Sequence, residues 1–235
     1  VVLWDVDAEA LGETARRFRE LELDVFAEVV DVTDWGAVRE AAAKAQADVG
    51  PVEVLVNNAG IFKAGLFNDI DFESHARLIE VNVSGQIAVL KAFLPGMIAR
   101  DSGHVITMAS AGSFMPAPRQ ASYCASKAAD LHLVDTLRAE LRSAGKKGIR
   151  FTSMCPSYVN TTLVTGIKPP LLTSWIDPDD LADAVFRAYL RDRVTVRIPF
   201  MAKTVPLLRA LLPERVLYVI SRLLRLDSSA ATWTG

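Results

Sequence analysis

The stretch Val52-Glu53-Val54-Leu55-Val56-Asn57-Asn58-Ala59-Gly60 decides the fold. Residues 52–56 have the length and β-branched content of a buried strand, and they run straight into an Asn-Asn-Ala-Gly turn. The same rhythm continues on both sides. Upstream, an apolar run at 1–4 ends at Asp5 and Asp7 and is followed by a helical pattern over 8–21. A strand over 24–30 ends at Asp31, and Thr33 and Asp34 can cap a helix over 35–48. Downstream, residues 72–100 predict one long helix, with Asn82 and Gly85 near its middle and Pro95-Gly96 toward its end. After it come a strand over 104–109, a Pro- and Gly-containing loop over 112–119, a helix over 121–144 ending at Gly145, and a strand over 150–155 that stops at Pro156. Asp177 and Pro178 then open a helix to about 191, and a last strand covers 194–198. Strands that alternate with helices imply a parallel sheet covered on both faces, a doubly wound α/β fold. We expect one domain over 1–198 and an apolar, amphipathic extension over 199–235.

Composition narrows the partners. The chain has 235 residues, 51% hydrophobic and 23% charged, which is enough for one large core. A net charge of −2 and a pI near 6.0 give no basic field for nucleic acid, so small molecules are the expected ligands. Cys124 and Cys155 form no disulfide framework and have no metal-ligand spacing, which suits a reducing cytosol. His75, His104 and His132 are scattered singly, so no metal is expected. No apolar stretch reads as the ~20 residues of a membrane span.

Chemistry concentrates around Ser110 and Ala121-Ser122-Tyr123-Cys124-Ala125-Ser126-Lys127. Tyr123 and Lys127 lie one turn apart on a helix face. An ammonium beside a phenol favours the phenolate and draws its pKa down from ~10 toward the working range of a general acid/base. Ser110, arriving from the end of the preceding strand, could hold a substrate oxygen against the same phenol. Asn82, inside a long helix, either serves this group or bonds its own backbone.

Through Asn57-Asn58-Ala59-Gly60, Asn82, Ser110 and Tyr123-x-x-x-Lys127, the chain resembles the short-chain dehydrogenase/reductase family over residues 1–198. Leu3-Trp4-Asp5, the 91–95 segment Lys-Ala-Phe-Leu-Pro, Cys155-Pro156 and Val159-Asn160-Thr161 look most like the branch of retinol and 17β-hydroxysteroid dehydrogenases. The resemblance implies a Rossmann-like sheet and a hydride exchanged between a nicotinamide cofactor and a lipophilic alcohol or ketone. It implies Tyr123 as the acid/base, Lys127 tuning it and holding the nicotinamide ribose, Ser110 fixing the substrate oxygen, and Asn82 holding a water that leads protons to solvent. For the cofactor it implies Asp5 at the adenosine ribose, which favours NAD over NADP; a solvated strand-end carboxylate is the plainer alternative. Asp31 and Val32 would meet the adenine, Asn57, Ala59 and Gly60 the ribose, and Pro156, Val159 and Thr161 the carboxamide. It also implies a homo-oligomer, dimer or tetramer.

Two departures stand out. Ser157 occupies the place where the family most often has glycine after the proline, which leaves the local backbone path open. The family also opens with a strand and a Gly-rich turn for the pyrophosphate, and Gly12 and Gly36 do not form a substitute. That strand would lie at the centre of the sheet, and without it two half-sheets with unpaired inner edges would remain. The expectation is therefore an incomplete sequence. Were it complete, catalysis would not be expected, and a non-catalytic nucleotide-binding or scaffold protein would be the alternative, beside an NADP-dependent carbonyl reductase.

Substrate-lining residues are expected from 111–120 and 157–175, which carry Phe114, Met115, Pro116, Pro118, Tyr158, Leu163, Ile167, Leu171, Leu172 and Trp175. In the extension, Pro206 and Pro213 should break residues 199–226 into short amphipathic helices carrying arginines. Such helices could meet a membrane interface, cover the pocket or bury a subunit face, so the protein is expected in the cytoplasm with a membrane- or lipid-associated alternative.

Overall fold

A computed structural model describes residues 1–171, 173–226, 229–231 and 233, and among these described residues the chain forms six strands, all in parallel pairs. β1 (Val2–Asp5) and β2 (Phe26–Val29) pair from Val2 opposite Phe26 to Asp5 opposite Val29, with α1 (Ala8–Glu20) crossing between them. Asp7 caps α1 by accepting from the amides of Glu9 and Ala10 at 3.0 and 3.1 Å. Asp34 caps α2 (Trp35–Val49) through the Ala37 amide, as its position before an apolar-periodic run predicts. A second sheet runs in the order β3 (Val54–Asn57), β4 (Gly103–Met108), β5 (Ile149–Pro156) and β6 (Thr195–Ile198).

The helices of this second sheet cover both of its faces. The predicted long helix is α3 (Phe72–Ile79), a π-helical segment (Glu80–Gly85) and α4 (Gln86–Arg100) in continuous succession. α5 (Ala121–Ser143) links β4 to β5, and α6 (Pro178–Leu190) links β5 to β6, opened by Asp177 accepting from the Asp179 amide at 2.9 Å. Successive strand residues face opposite ways. Val105 and Phe151 join Val38, Leu90, Phe93, Met97 and Val134 in one core, while Ile106 and Met154 join Ala184 and Ala188 of α6 in another.

Among the described residues β1 pairs only with β2, and β3 only with β4, so the sheet is in two parts. Leu55 and Asn57 on one face of β3 are buried, whereas Val54 and Val56 on the other are 38% and 53% exposed. Trp4 of β1 nonetheless packs on Phe93 of α4, ring centroids 5.3 Å apart, and ties the smaller sheet to the larger body.

Two expectations need correcting. The helix Phe72–Arg100 has 29 residues and a window of mean hydropathy 1.3, so by length and composition alone it could cross a membrane. Half of that window is buried in this fold, and the side-chain amides of Asn82 and Gln86 within the helix bond to the 59–61 segment, which makes it a core helix. Pro206 does not break the extension: α7 (Phe200–Leu211) runs through it and packs against β6. Proline has a helical φ and forfeits one hydrogen bond, a cost of about 3 kcal/mol that packing on the sheet can offset. Pro213 does separate α7 from α8 (Glu214–Leu223).

Candidate active site

Ser110, Tyr123 and Lys127 come together where β4 ends and α5 begins. Ser110 caps a 3₁₀ turn at Ala111–Ser113, its Oγ accepting from the Gly112 amide at 3.1 Å. Ser113, missed in the sequence, accepts from the Ser110 amide at 3.3 Å and donates to the Lys127 carbonyl at 2.7 Å. This bond fixes the serine turn to the helix that bears the tyrosine and lysine. Burial pushes the Tyr123 phenol up to about 12. A hydrogen bond from Ser110 works against that rise, while Cys124, Asp130 and Tyr158 add to it. The phenol is therefore a proton holder at neutral pH, able to donate and in need of help to accept.

Lys127 is buried. Its Nζ donates to the Met108 carbonyl at 2.9 Å and to Asp130 Oδ2 at 3.0 Å. Asn82 lies in the π-helical segment, where the widened turn frees its side chain to reach across rather than bond its own backbone. Its Oδ1 accepts from the Ile61 amide at 2.7 Å, and its Nδ2 donates to the Ile61 carbonyl at 2.9 Å and to Ser126 Oγ at 3.0 Å. The Gln86 side chain, one turn further on, donates to the Ala59 carbonyl at 2.7 Å, and the Gln86 backbone carbonyl accepts from Asn57 Nδ2 at 3.0 Å. Together Asn82 and Gln86 hold the 57–61 turn in place. The glutamine was legible as a polar residue at i+4 from Asn82, on the same face.

The other predicted residues lie past the carboxyl ends of parallel strands, where α/β sheets bind ligands. Asp5 ends β1, exposed, and accepts from the Asp7 amide at 3.0 Å. Asp31 follows β2 and accepts from the amide and hydroxyl of Thr33 and from Arg77 of α3 at 2.9 Å. Those bonds, the Thr33 amide first, lower its pKa to about 2. Val32 packs against Gly85 so closely that a Cβ on the glycine would stand 2.6 Å from Val32 Cγ2. Gly60 sits beside the catalytic candidates, since a Cβ there would lie 3.3 Å from Asn82 Oδ1 and 3.5 Å from Lys127 Nζ. Pro156 pairs with Ile198 at the end of β5, and the Ser157 amide donates to the Ile198 carbonyl at 2.9 Å, where the chain leaves the strand in a bend. Val159 bridges to Ile176, and Thr161 opens a 3₁₀ turn at Thr162–Val164.

Part of the predicted lining meets at the tyrosine. Phe62 packs edge-on to Tyr123 at 4.8 Å, and Tyr158, Val164 and Ile167 join the same cluster. Phe114 instead lies under Arg197, 4.4 Å from the guanidinium, and its carbonyl accepts from Arg209 of α7 at 2.6 Å. Trp175 meets Tyr158 edge-on at 6.3 Å, Leu171 is half-exposed, and Leu172 is outside the described residues. The C-terminal tail was not foreseen here. Trp233 packs on Phe62 at 5.7 Å under the Lys63 ammonium, Ala230 is buried in the cluster, and Ser229 hydrogen-bonds the Tyr158 hydroxyl at 3.2 Å. Nothing local marks Ser229 or Trp233 for such a position, because Tyr158 and Phe62 are about 70 and 170 residues away.

Comparisons with known proteins agree with this geometry. A family model described as short chain dehydrogenase matches residues 1–171. The 17-beta-hydroxysteroid dehydrogenase 13 of Rattus norvegicus is 33% identical over 233 residues, covering 98% of this chain and 76% of that protein. Among solved structures, a gluconate 5-dehydrogenase from Burkholderia cenocepacia J2315 in complex with NADP and tartrate superposes with a TM-score of 0.75 at 26% identity, covering 86% of this chain and 85% of the other. A short chain dehydrogenase/reductase from Burkholderia phymatum in complex with NAD shares the fold, with a TM-score of 0.77 at 24% identity, covering 93% of this chain and 85% of the other.

Proposed function

The chain belongs to the short-chain dehydrogenase family, and from that premise we propose that it is an NAD-dependent oxidoreductase interconverting a lipophilic alcohol and its carbonyl, with Tyr123 as the proton-transfer group. The observation that carries this reading is the Tyr123 phenol under the Ser110 hydroxyl, with Lys127 one helical turn along and its ammonium buried beside Gly60 and Asn82.

In this reading Ser110 orients the substrate oxygen and Tyr123 gives or takes its proton. The Ser110 hydroxyl, fixed by the Gly112 amide and the Ser113 turn, is a preorganised donor for developing negative charge on that oxygen. Lys127 keeps a positive charge close to the phenol. A bound nicotinamide cofactor supplies or accepts the hydride. The residues present fit such a group at its nicotinamide end, because the side-chain-free backbone at Gly60, the Asn82 amide and the Lys127 ammonium stand together, polar groups that a ribose could share. Asn57, Ala59, Pro156, Val159 and Thr161 would flank it. Asp31 and Val32 would meet the adenine, and Asp5 the adenosine ribose, which favours NAD. Comparing NAD with NADP in the native protein and in Asp5→Ala tests the last point: the substitution should relax the preference.

The aromatic and aliphatic cluster of Phe62, Tyr158, Ile167 and Trp233 supports a lipophilic substrate of the retinoid, steroid or fatty-alcohol kind, in line with the steroid-dehydrogenase relative. A panel of such alcohols with NAD, followed as NADH formation, tests the reading, and silence across the panel would count against it. Exposed Phe72, Ile79 and Ile87 along the α3–α4 helix support a homo-oligomer through that face. α7 and α8 carry four basic residues, Lys203, Arg209, Arg215 and Arg222, against one acidic residue, Glu214, and expose Phe200, Leu207, Leu211 and Leu223, which supports peripheral contact of a cytoplasmic protein with an anionic lipid surface.

A further inference from the structure

Asp130 stands three residues after Lys127 on α5, between the buried Lys127 and Leu131. Its Oδ2 accepts from Lys127 Nζ at 3.0 Å, and the two side chains are 0% and 6% exposed. The second acceptor of the ammonium is the Met108 carbonyl, so Nζ is held between the end of β4 and its own helix. Asp130 Oδ1 is buried and has no hydrogen-bond partner among the described residues. A buried ion pair gains little stability over apolar packing, and an orphaned carboxylate oxygen makes the balance worse. Leu131 and Val134 show that this side of α5 accepts apolar residues. The carboxylate is thus an expensive choice for folding alone, placed against the ammonium that the proposed reaction uses.

We propose that Asp130 is a positioning residue for the reaction: it fixes the Lys127 ammonium against the Met108 carbonyl and, by offsetting part of its charge, sets the pH range over which Tyr123 exchanges its proton. The proposal rests on Tyr123 being the proton-transfer group. A lysine free of Asp130 would present its full charge to the phenol, whereas a lysine paired to a buried anion presents a dipole. The groups around Tyr123 act in both directions. Asp130 raises it, as do Cys124 on the same helix and Tyr158 from the segment after β5, and the Ser110 hydroxyl from the end of β4 lowers it. Burial pushes the Asp130 carboxyl itself up to about 6 against the opposing pull of Lys127. Cys155 on β5, under the influence of Arg197 and Asp135, is also pushed up by burial and is a neutral thiol in the working range.

The test is a pH titration of tyrosinate absorbance, read as the difference between each protein and its Tyr123→Phe counterpart so that only Tyr123 reports. Asp130→Asn keeps the shape and an acceptor for Lys127 but removes the charge. The Tyr123 signal should then appear about one pH unit lower, and the acid limb of kcat/KM for alcohol oxidation should move by a similar amount. Asp130→Glu should return both toward the native values. If Asp130→Asn does not fold, Asp130→Ser carries the same charge change with less bulk. An unshifted titration in a folded neutral variant, even with a lowered Tm, would leave Asp130 a packing residue and overturn the proposal. The titration needs neither cofactor nor turnover, so its failure is distinct from failure of the dehydrogenase reading.

Discussion

Tyr123 and Lys127 were readable because their relation is local: four residues on one helix fix their geometry wherever the helix lies. Ser110 was readable because it ends a strand immediately before that helix. Asp130 is as local as Lys127, yet its meaning was hidden, since a charge three residues along a helix usually faces water and only packing against the sheet shows it buried. His104 is a similar case and has a measurable consequence. It is wholly buried on β4. The Thr152 hydroxyl donates to the Arg193 carbonyl at 2.6 Å and must therefore accept from His104 Nε2 at 2.8 Å, leaving Nδ1 bare. Burial, with Arg150 adding to it, lowers the His104 pKa below 6.5. A histidine whose folded pKa is depressed contributes stability that is fully present above the unfolded pKa and is lost as pH falls below it. Unfolding free energy should thus fall by up to about 1.4 kcal/mol per pH unit below pH ~6.5 on account of this residue. His104→Val should flatten that limb of a denaturation series, and an unchanged slope would exonerate the histidine.

At the scale of elements, strands and helices followed from hydrophobic rhythm and caps. Asp7, Asp34 and Asp177 each do what a side-chain acceptor before a helix does. The π-helical segment at Glu80–Gly85 was not legible, because one extra residue in a turn leaves no periodic trace in an apolar helix. Its effect is local and chemical: it frees Asn82 to grip Ile61 and brings Gly85 against Val32. The tail was equally hidden, since the contacts that set Ser229 and Trp233 at this cluster are long-range. Trp233 covers Phe62, which in turn packs on Tyr123. We expect Trp233→Ala to raise KM for a bulky lipophilic alcohol several-fold, from the loss of an aromatic contact worth ~1 kcal/mol or more, with little change for a short alcohol. Equal effects on both substrates would remove the tail from the substrate site.

For the whole molecule, alternation of elements was enough to predict a parallel α/β fold, and the division of the sheet into β1–β2 and β3–β6 follows the strand pairing that the sequence makes available. Surface roles were less legible, because an apolar stripe has the same pattern whether it meets core, partner or lipid. The fold decides part of this, with α7 set on β6 and Arg209 bonded to the Phe114 carbonyl, so the extension adjoins the loop over 111–120. Binding to vesicles containing anionic lipid should weaken with rising salt and should fall on Arg215→Glu with Arg222→Glu. Salt-independent binding, or none, would assign that face to another use. All of this hangs on whether the molecule moves protons through Tyr123. The decisive measurement compares the protein with Tyr123→Phe for both NAD binding by calorimetry and NADH formation from a lipophilic alcohol. The account predicts binding within about twofold and turnover lower by ~10²–10⁴-fold, and comparable turnover in the two proteins would contradict it.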